Sequence, residues 1–158
     1  MHFGIISTGL ISGEFAQAIS MTDGAGISAV YSRSVESAQD FISEYNLQAE
    51  AFESVDALCA SAEVDAVYIA SPNSFHLSHA LTAISQGKHV VVEKPAAWNQ
   101  VQWDQMWAAA QEHHVLIFEA ARHIYEPAQS IIRDYLVGKK PKSVRLNFSQ
   151  YSSRWDAV

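Results

Sequence analysis

The sequence predicts an α/β fold: a doubly wound parallel sheet, then a helix and one strand that open a second, α+β domain. Three observations carry this reading. Short apolar runs alternate with amphipathic stretches of helical period along most of the chain. Helical connections between strands give parallel pairing through right-handed crossovers. The run His89-Val90-Val91-Val92 is apolar after its first residue, as expected for a parallel strand covered on both faces. After Glu119 the pattern changes to one helix and then to strict alternation.

In chain order, Phe3-Gly4-Ile5-Ile6-Ser7 reads as a strand ending in the small-residue turn Ser7-Thr8-Gly9. Leu10, Ile11, Phe15 and Ile19 then recur at helical spacing. Thr22-Asp23-Gly24 is turn chemistry, and Ile27-Ser28-Ala29-Val30-Tyr31 is a second strand. Ser34 caps a helix with Val35, Ala38, Phe41, Ile42 and Tyr45 on one face, and Asn46 stops it. A weak strand near Ala49 and Phe52 and a short helix from Ser54 to Ala60 follow. Asp65-Ala66-Val67-Tyr68-Ile69-Ala70 is a buried strand broken by Ser71-Pro72-Asn73. The next helix presents Leu77, Ala80, Leu81 and Ile84, and Gly87 closes it. After the 89–92 strand and Glu93-Lys94-Pro95, Asn99 and Gln102 form a capping-box pair, with Trp98 and Trp103 at staple spacing. Trp103, Met106, Trp107 and Ala110 make the inner face of that helix, and Val115-Leu116-Ile117-Phe118 is a further buried strand. Pro127 opens a helix whose Ile131, Ile132, Tyr135 and Leu136 face inward, and Gly138 ends it. Residues 143–150 alternate, with Val144, Leu146 and Phe148 on one side and no later strand to pair with. A homo-oligomer joined through this strand is the expectation, because its edge and apolar face need a partner.

Composition narrows the function classes. The 158 residues are 49% hydrophobic and 17% charged, too apolar and too weakly charged for a disordered chain. The net charge is -7 and no run of Lys or Arg forms a stripe, which argues against a nucleic-acid partner. The apolar stretches are strand-sized, so no membrane span is expected. Met1-His2-Phe3-Gly4 lacks the basic region of a secretory signal, and Cys59 is the single cysteine, so a cytoplasmic protein without disulfides is the default. His76 with His79, and His113 with His114, lack a third ligand in register, so no metal site is expected. No G-x-S-x-G elbow supports hydrolase chemistry, and Cys59, among apolar neighbours, reads as structural.

In open α/β sheets, ligands bind beyond the carboxyl ends of the strands. Four strand ends here carry unusual residues: Ser7-Thr8-Gly9, Ser32-Arg33-Ser34, Ser71-Pro72-Asn73 and Glu93-Lys94-Pro95. Glu119 and Arg122 follow the last strand of the sheet. The dinucleotide fingerprint G-x-G-x-x-G maps onto Ser7-Thr8-Gly9-Leu10-Ile11-Ser12 with only its central glycine kept. That glycine lets backbone approach a pyrophosphate at the helix N-terminus. Ser7 stands where a tight-turn glycine is usual, and Ser12 where a helix-packing one is. At the second strand tip an NAD site places an acid on the ribose hydroxyls. This chain has Ser32-Arg33-Ser34 instead. Arg33 either forks onto a 2′-phosphate beside two hydroxyls or is merely solvated while Ser34 caps the helix.

With these motifs on the page, the chain resembles the glucose–fructose oxidoreductase/inositol dehydrogenase (Gfo/Idh/MocA) family along nearly its whole length. The residues that carry the resemblance are the Gly9 turn, Tyr31-Ser32-Arg33-Ser34, Ala70-Ser71-Pro72-Asn73 with His76, and Gly87-Lys88-His89 running into Glu93-Lys94-Pro95. It implies a Rossmann domain over residues 1–122 and the opening of a substrate and oligomerisation domain over 123–158. It also implies an oxidoreductase that binds NADP, or NAD, and acts on a sugar, polyol or related small molecule. Ser71, Pro72 and Asn73 would line the nicotinamide ribose, with His76 supporting the turn and Glu93 nearby. Lys94 matches the family's active-site lysine, and Glu119-Ala120-Ala121-Arg122 resembles the segment leaving the cofactor domain beside the nicotinamide. A partly desolvated Lys94 suits proton exchange with a hydroxyl; a surface lysine paired with Glu93 is the bland alternative. Trp98 is near enough in sequence to touch a ligand. The family's second domain supplies an Asp and a His that do not occur before Val158, so turnover by this chain alone is not expected. A nucleotide-sensing regulator and an assembly module of the same fold are the rival readings.

Overall fold

The computed structural model describes residues 1–145, Asn147 and Ser149. Its contacts divide the chain into two compact units, Met1–Ala121 and Arg122–Val158.

The first unit is built on strands β1 (His2–Ile6), β2 (Gly26–Tyr31), β3 (Glu50–Phe52), β4 (Ala66–Ile69), β5 (His89–Val92) and β6 (Ile117–Glu119). They form one sheet in the order β3-β2-β1-β4-β5-β6, and every neighbouring pair is parallel. Helices α1 (Leu10–Ser20), α2 (Val35–Glu44), α3 (Val55–Ala60), α4 (His76–Ser85) and α5 (Gln100–Glu112) make the crossovers. Successive side chains of a strand point to opposite faces, and both faces are covered. Ile5 packs with Ala16 and Ile19 of α1 and Ala38 and Phe41 of α2. Its neighbour Ile6 packs on the other side with Leu58 of α3, Ile84 of α4 and Met106 of α5.

The helix ends follow the sequence signals. Ser34, Ser54 and Asn99 accept bonds from the backbone N–H three residues on, and Gln102 Oε1 accepts from the Trp98 N–H at 3.0 Å. Asn46 and Gly87 take positive φ just after α2 and α4, where the chain must leave the helix.

Several expectations about burial need correction. Leu10 is 83% exposed and Ile11 is exposed, while Ser12, Gly13, Ala16 and Ile19 form the buried face of α1. The helix starts at the sheet rim, so its first two residues project past the strands. Small residues let the rest approach closely, and a side chain at Gly13 would collide with the Tyr45 phenol. At the opposite edge, Ile117 alone of the predicted apolar run is buried, and Leu116, Phe118 and Trp107 stay exposed. β6 ends the sheet, so no further strand extends the cover there. Trp98 is exposed as well and does not close over the α5 cap.

The second unit contains a 3-10 turn, Arg122–Tyr125, and helix α6 (Pro127–Leu136), with Pro127 in its first turn and Gly138 at positive φ beyond it. The helix forms as expected, but Ile131, Ile132, Tyr135 and Leu136 are all exposed rather than inward-facing. The described part of this unit supplies no second helix or sheet to cover them. Ser143, Val144 and Arg145 form no strand. Leu146, Phe148 and Gln150, needed for the predicted strand and for pairing through it, lie outside the described residues. No helix among the described residues is long and apolar enough to cross a membrane.

Ser12 Oγ is fully buried without a hydrogen-bond partner. An unsatisfied buried hydroxyl costs about 1–3 kcal/mol, and Ala is the better helix former. Ser12→Ala is therefore expected to raise the unfolding free energy by about 1 kcal/mol in urea titrations. A loss of stability would mean that the hydroxyl is satisfied.

Candidate functional site

Because all strands run the same way, their carboxyl ends share one rim. The connections lead from β1 outward to β2 and β3 on one side, and to β4, β5 and β6 on the other. A crevice opens at that switch point. It is a cleft of about 590 Å³ lined by Ser7, Thr8, Gly9, Ser32, Arg33, Ser71 and Pro72, all singled out from sequence. Ile6, Tyr31, Phe75 and His79 complete the lining. The volume is within the range of small-molecule sites, roughly 300–1,000 Å³.

The β1 turn is built for close approach. Ser7 adopts φ 95 and donates its N–H to Tyr31 O at 2.8 Å, so the tight-turn position keeps a glycine-like backbone without a glycine. Gly9 is the N-cap of α1 in ordinary extended conformation, and a Cβ there would meet only Ser7 Oγ, at 4.0 Å. Neither φ nor internal packing requires this glycine; the space it leaves opens to the cleft. Behind it the N–H groups of Leu10 and Ile11 have no intrahelical acceptor, as at any helix start. They carry the positive end of the helix dipole. These features fit a bound pyrophosphate.

At the β2 tip, Thr8 Oγ1 and Ser32 Oγ lie 3.1 Å apart, tying two strand ends together. Arg33 is exposed and makes no ion pair or hydrogen bond among the described residues. Ser34 does not line the cleft; its Oγ accepts from the Ser37 N–H and caps α2. The cleft lining contains one guanidinium and no carboxylate, although the protein as a whole carries a net charge of -7.

The β4 and β5 ends are laced by buried groups. Asn73 begins a one-turn 3-10 helix that leads into α4. His76, 1% exposed, sits below the rim rather than on it. Its Nε2 is 2.9 Å from Ser71 O and its Nδ1 is 3.0 Å from Pro95 O, so one ring bridges the two strand-end turns. Ser71 Oγ pairs with His79 Nδ1 at 3.0 Å. Burial, and then the neighbouring His76, hold the His79 imidazole below the usual histidine range. Glu93 Oε1 accepts from the Tyr68 hydroxyl at 2.8 Å and its Oε2 from the Lys94 N–H at 3.1 Å. Tyr68 is clamped in a ring stack on Phe15. Burial first, and then the Glu93 bond, push its phenol pKa far up. Glu119 Oε1 accepts from the Ala96 N–H at 2.9 Å, fixing the segment after the cis Lys94–Pro95 bond from the β6 side.

Lys94 therefore stands on a turn anchored from both flanks. Its side chain is exposed, not partly desolvated as expected, because this unit places nothing over the rim at β5. The alternative pairing with Glu93 is not formed either, since that carboxylate serves Tyr68 and the backbone. Arg122 belongs to the second unit. Cys59 is buried, and burial pushes its thiol up to about 12. Among the described residues no three His, Cys, Asp or Glu side chains converge as metal ligands. Phe75 and His79 were not anticipated in the cleft. The available signal was Phe75 itself, a large apolar residue outside the buried stripe of α4.

Residues 1–121 match the family described as "Oxidoreductase family, NAD-binding Rossmann fold" (GFO_IDH_MocA). The chain is 37% identical over 160 residues to scyllo-inositol 2-dehydrogenase (NADP(+)) IolU of Bacillus subtilis, covering 99% of this chain and 48% of that protein. It is 39% identical to the uncharacterized oxidoreductase YgjR of Escherichia coli over 98% of this chain and 47% of that one. The chain thus spans about half the length of these curated relatives. Among solved structures it resembles KijD10, a 3-ketoreductase from Actinomadura kijaniata in complex with NADP. The TM-score is 0.81 at 27% identity, covering 87% of this chain and 44% of that one.

Two outcomes follow from the geometry. A non-glycine residue at positive φ is strained by about 1–2 kcal/mol, partly offset by the entropy glycine loses on folding. Ser7→Gly should raise the thermal midpoint, equivalent to about 0.5–1 kcal/mol. A lower midpoint would show that the serine side chain outweighs the strain. His79, with its folded pKa depressed, contributes stability that is present above the unfolded value of about 6.5 and lost as pH falls through the folded value. Urea midpoints should fall between pH 7.5 and 5, and His79→Gln should flatten that slope. An unchanged slope would remove His79 from the acid response.

Proposed function

The chain belongs to the Gfo/Idh/MocA oxidoreductase family, with its NAD-binding Rossmann fold, and on that premise we propose that it is the cofactor-binding part of an NADP-preferring dehydrogenase or reductase acting on a hydroxyl or carbonyl of a sugar, polyol or related small molecule. The observation that carries the cofactor preference is the cleft itself: Arg33 is its single charged group and no carboxylate faces a ribose 2′ position. A free guanidinium binds a 2′-phosphate through paired, charge-assisted bonds. An acid at the same tip would repel that phosphate and favour the plain hydroxyl. The NADP named for IolU and for the KijD10 complex supports this choice. The inositol and ketone chemistry in those proteins' names supports the substrate class.

The bound nicotinamide supplies hydride transfer. What the chain supplies is position and a proton. Gly9 and the free N–H groups at the start of α1 hold the pyrophosphate, while Thr8, Ser32 and Arg33 hold the adenosine end. Ser71 and Pro72 in the cleft wall, with Asn73 following them at the start of the 3-10 turn, would line the nicotinamide ribose. The neutral Lys94 amine would take a proton from a substrate hydroxyl, and in the reverse direction its ammonium would return one to a carbonyl oxygen. The side chain is exposed in this structure, so the step calls for a bound substrate, or other parts of the protein, to exclude water from around it. Glu93, His76 and Glu119 act on Lys94 indirectly, by fixing its turn.

Calorimetry on the 158-residue chain tests the preference. A charge-assisted contact contributes roughly 1.5–3 kcal/mol, or about 10- to 150-fold, so NADPH should bind more tightly than NADH by that order. Arg33→Asp should invert the ranking. Equal affinities for the two dinucleotides in the wild type would overturn the preference.

A further inference from the structure

Tyr68 carries a hydroxyl that core packing does not require. Its side chain is 3% exposed and lies among apolar residues on one face of the sheet, a setting that Phe would also suit. The ring is fixed, stacked on Phe15 of α1 with centroids 3.8 Å apart and planes inclined by 6°. It stands on β4 in register with Val91 of β5. Side chains alternate along a strand, so Glu93, two residues after Val91, returns toward the same face. There the phenol donates to Glu93 Oε1 at 2.8 Å. A buried hydroxyl needs a partner, and this one has taken the carboxylate of the residue immediately before Lys94.

Glu93 and Lys94 are adjacent and of opposite charge, yet Glu93 bonds to the phenol and to backbone rather than to the ammonium. Reach is not the obstacle. Glu93 Oε2 is folded back onto the Lys94 N–H at 3.1 Å, within the span of the lysine's own four-carbon stem. What holds the carboxylate is the phenol on its other oxygen. That hold persists at high pH. Burial, and then the Glu93 bond, push the phenol pKa far up, so the hydroxyl keeps its proton through roughly pH 10, where lysines ordinarily titrate. The other titratable groups that the first unit gathers around this corner are placed elsewhere. Glu14 of α1 faces the phenol, His76 of α4 bridges the turn carbonyls, and Glu119 of β6 accepts from the Ala96 N–H.

Resting on the proton-exchange role of Lys94 above, we propose that Tyr68 is a positioning residue for that step: its hydroxyl holds the Glu93 carboxylate against the end of β4 and so keeps it from pairing with Lys94. A carboxylate paired with the lysine would favour the ammonium over the neutral amine. It would also tie down a side chain that has to meet a substrate oxygen. With Tyr68 in place, Glu93 fixes the backbone of the turn and leaves the amine to the substrate. Tyr68 acts through Glu93 and not on the reacting atoms. A phenylalanine at the same position would keep the stack on Phe15 and lose this control.

The test follows the titration of Lys94 in the free 158-residue chain by NMR of isotope-labelled, methylated lysine amines, with Lys94→Arg identifying the signal. It compares wild type, Tyr68→Phe, Glu93→Gln and the Tyr68→Phe/Glu93→Gln double variant, with the thermal midpoint of each as the folding control. Tyr68→Phe releases Glu93 and should raise the Lys94 titration midpoint by about half a unit or more. The rise should vanish in the double variant. A midpoint in Tyr68→Phe that is unmoved or lower overturns the proposal. So does a rise that persists in the double variant, because the carboxylate would then not be its cause. Glu93→Gln alone carries the test if Tyr68→Phe does not fold. It should leave the Lys94 midpoint nearly in place, and a fall of about one unit or more would mean that the two are paired despite Tyr68, which overturns the proposal. These titrations need no cofactor, so they decide the role of Tyr68 by themselves. A wild-type chain that binds neither NADPH nor NADH overturns instead the dehydrogenase reading on which that role rests.

Discussion

All six strands of the first unit point the same way, and the rest of the structure depends on that constraint. Parallel neighbours cannot be joined by tight turns, so a helix must return the chain over one face or the other between most strands. Once helices cover both faces, the central strands are shut away from water, with all four residues of β4 buried, and the apolar content of β4 and β5 becomes a requirement. The same constraint gathers the strand ends onto one rim. It also sets the N-terminus of α1 directly behind the β1 turn, where the dipole and free N–H groups attract an anion. The candidate site is a by-product of strand direction.

A rim made of loops would be soft unless something held it. Here polar groups beneath and along it do so. His76 bridges the turns after β4 and β5, Tyr68 and Glu93 join the β4 and β5 ends, and Glu119 reaches back from β6 to the residue two beyond Lys94. Each is a polar group that would be costly to bury alone and is satisfied by a neighbouring segment of the rim. The two glutamates spend their oxygens on Tyr68 and on backbone, which leaves the exposed lysine uncompensated by either. On the other side of the switch point the cleft has the reverse character: hydroxyls, an arginine and no acid, within a protein of negative net charge.

Much of this was legible in the sequence because it depends on local rules. Strand and helix alternation, the serine and asparagine caps, and the positive-φ stops at Asn46 and Gly87 are set by residues within a few positions of one another. The strand-end motifs were equally visible, since a polar or small cluster after an apolar run needs no tertiary knowledge to notice. Seven of the residues singled out at three of those ends do line one cleft.

What required the tertiary structure was everything that turns on which element lies beside which. Periodicity places Leu10, Trp107, Leu116 and Phe118 on apolar stripes, but the sheet ends at β6 and α1 starts at the rim, so those side chains meet no cover. Sequence spacing could not show that His76 lies under the rim, that Glu93 is engaged by Tyr68, or that Phe75 and His79 line the cleft, because these placements join strands and turns far apart in the chain. The sequence determined the elements and the chemistry available at each strand end, through short-range propensities and turn residues. The order of strands in the sheet, a long-range property, decided which of those ends became neighbours and which side chains were left open to a ligand.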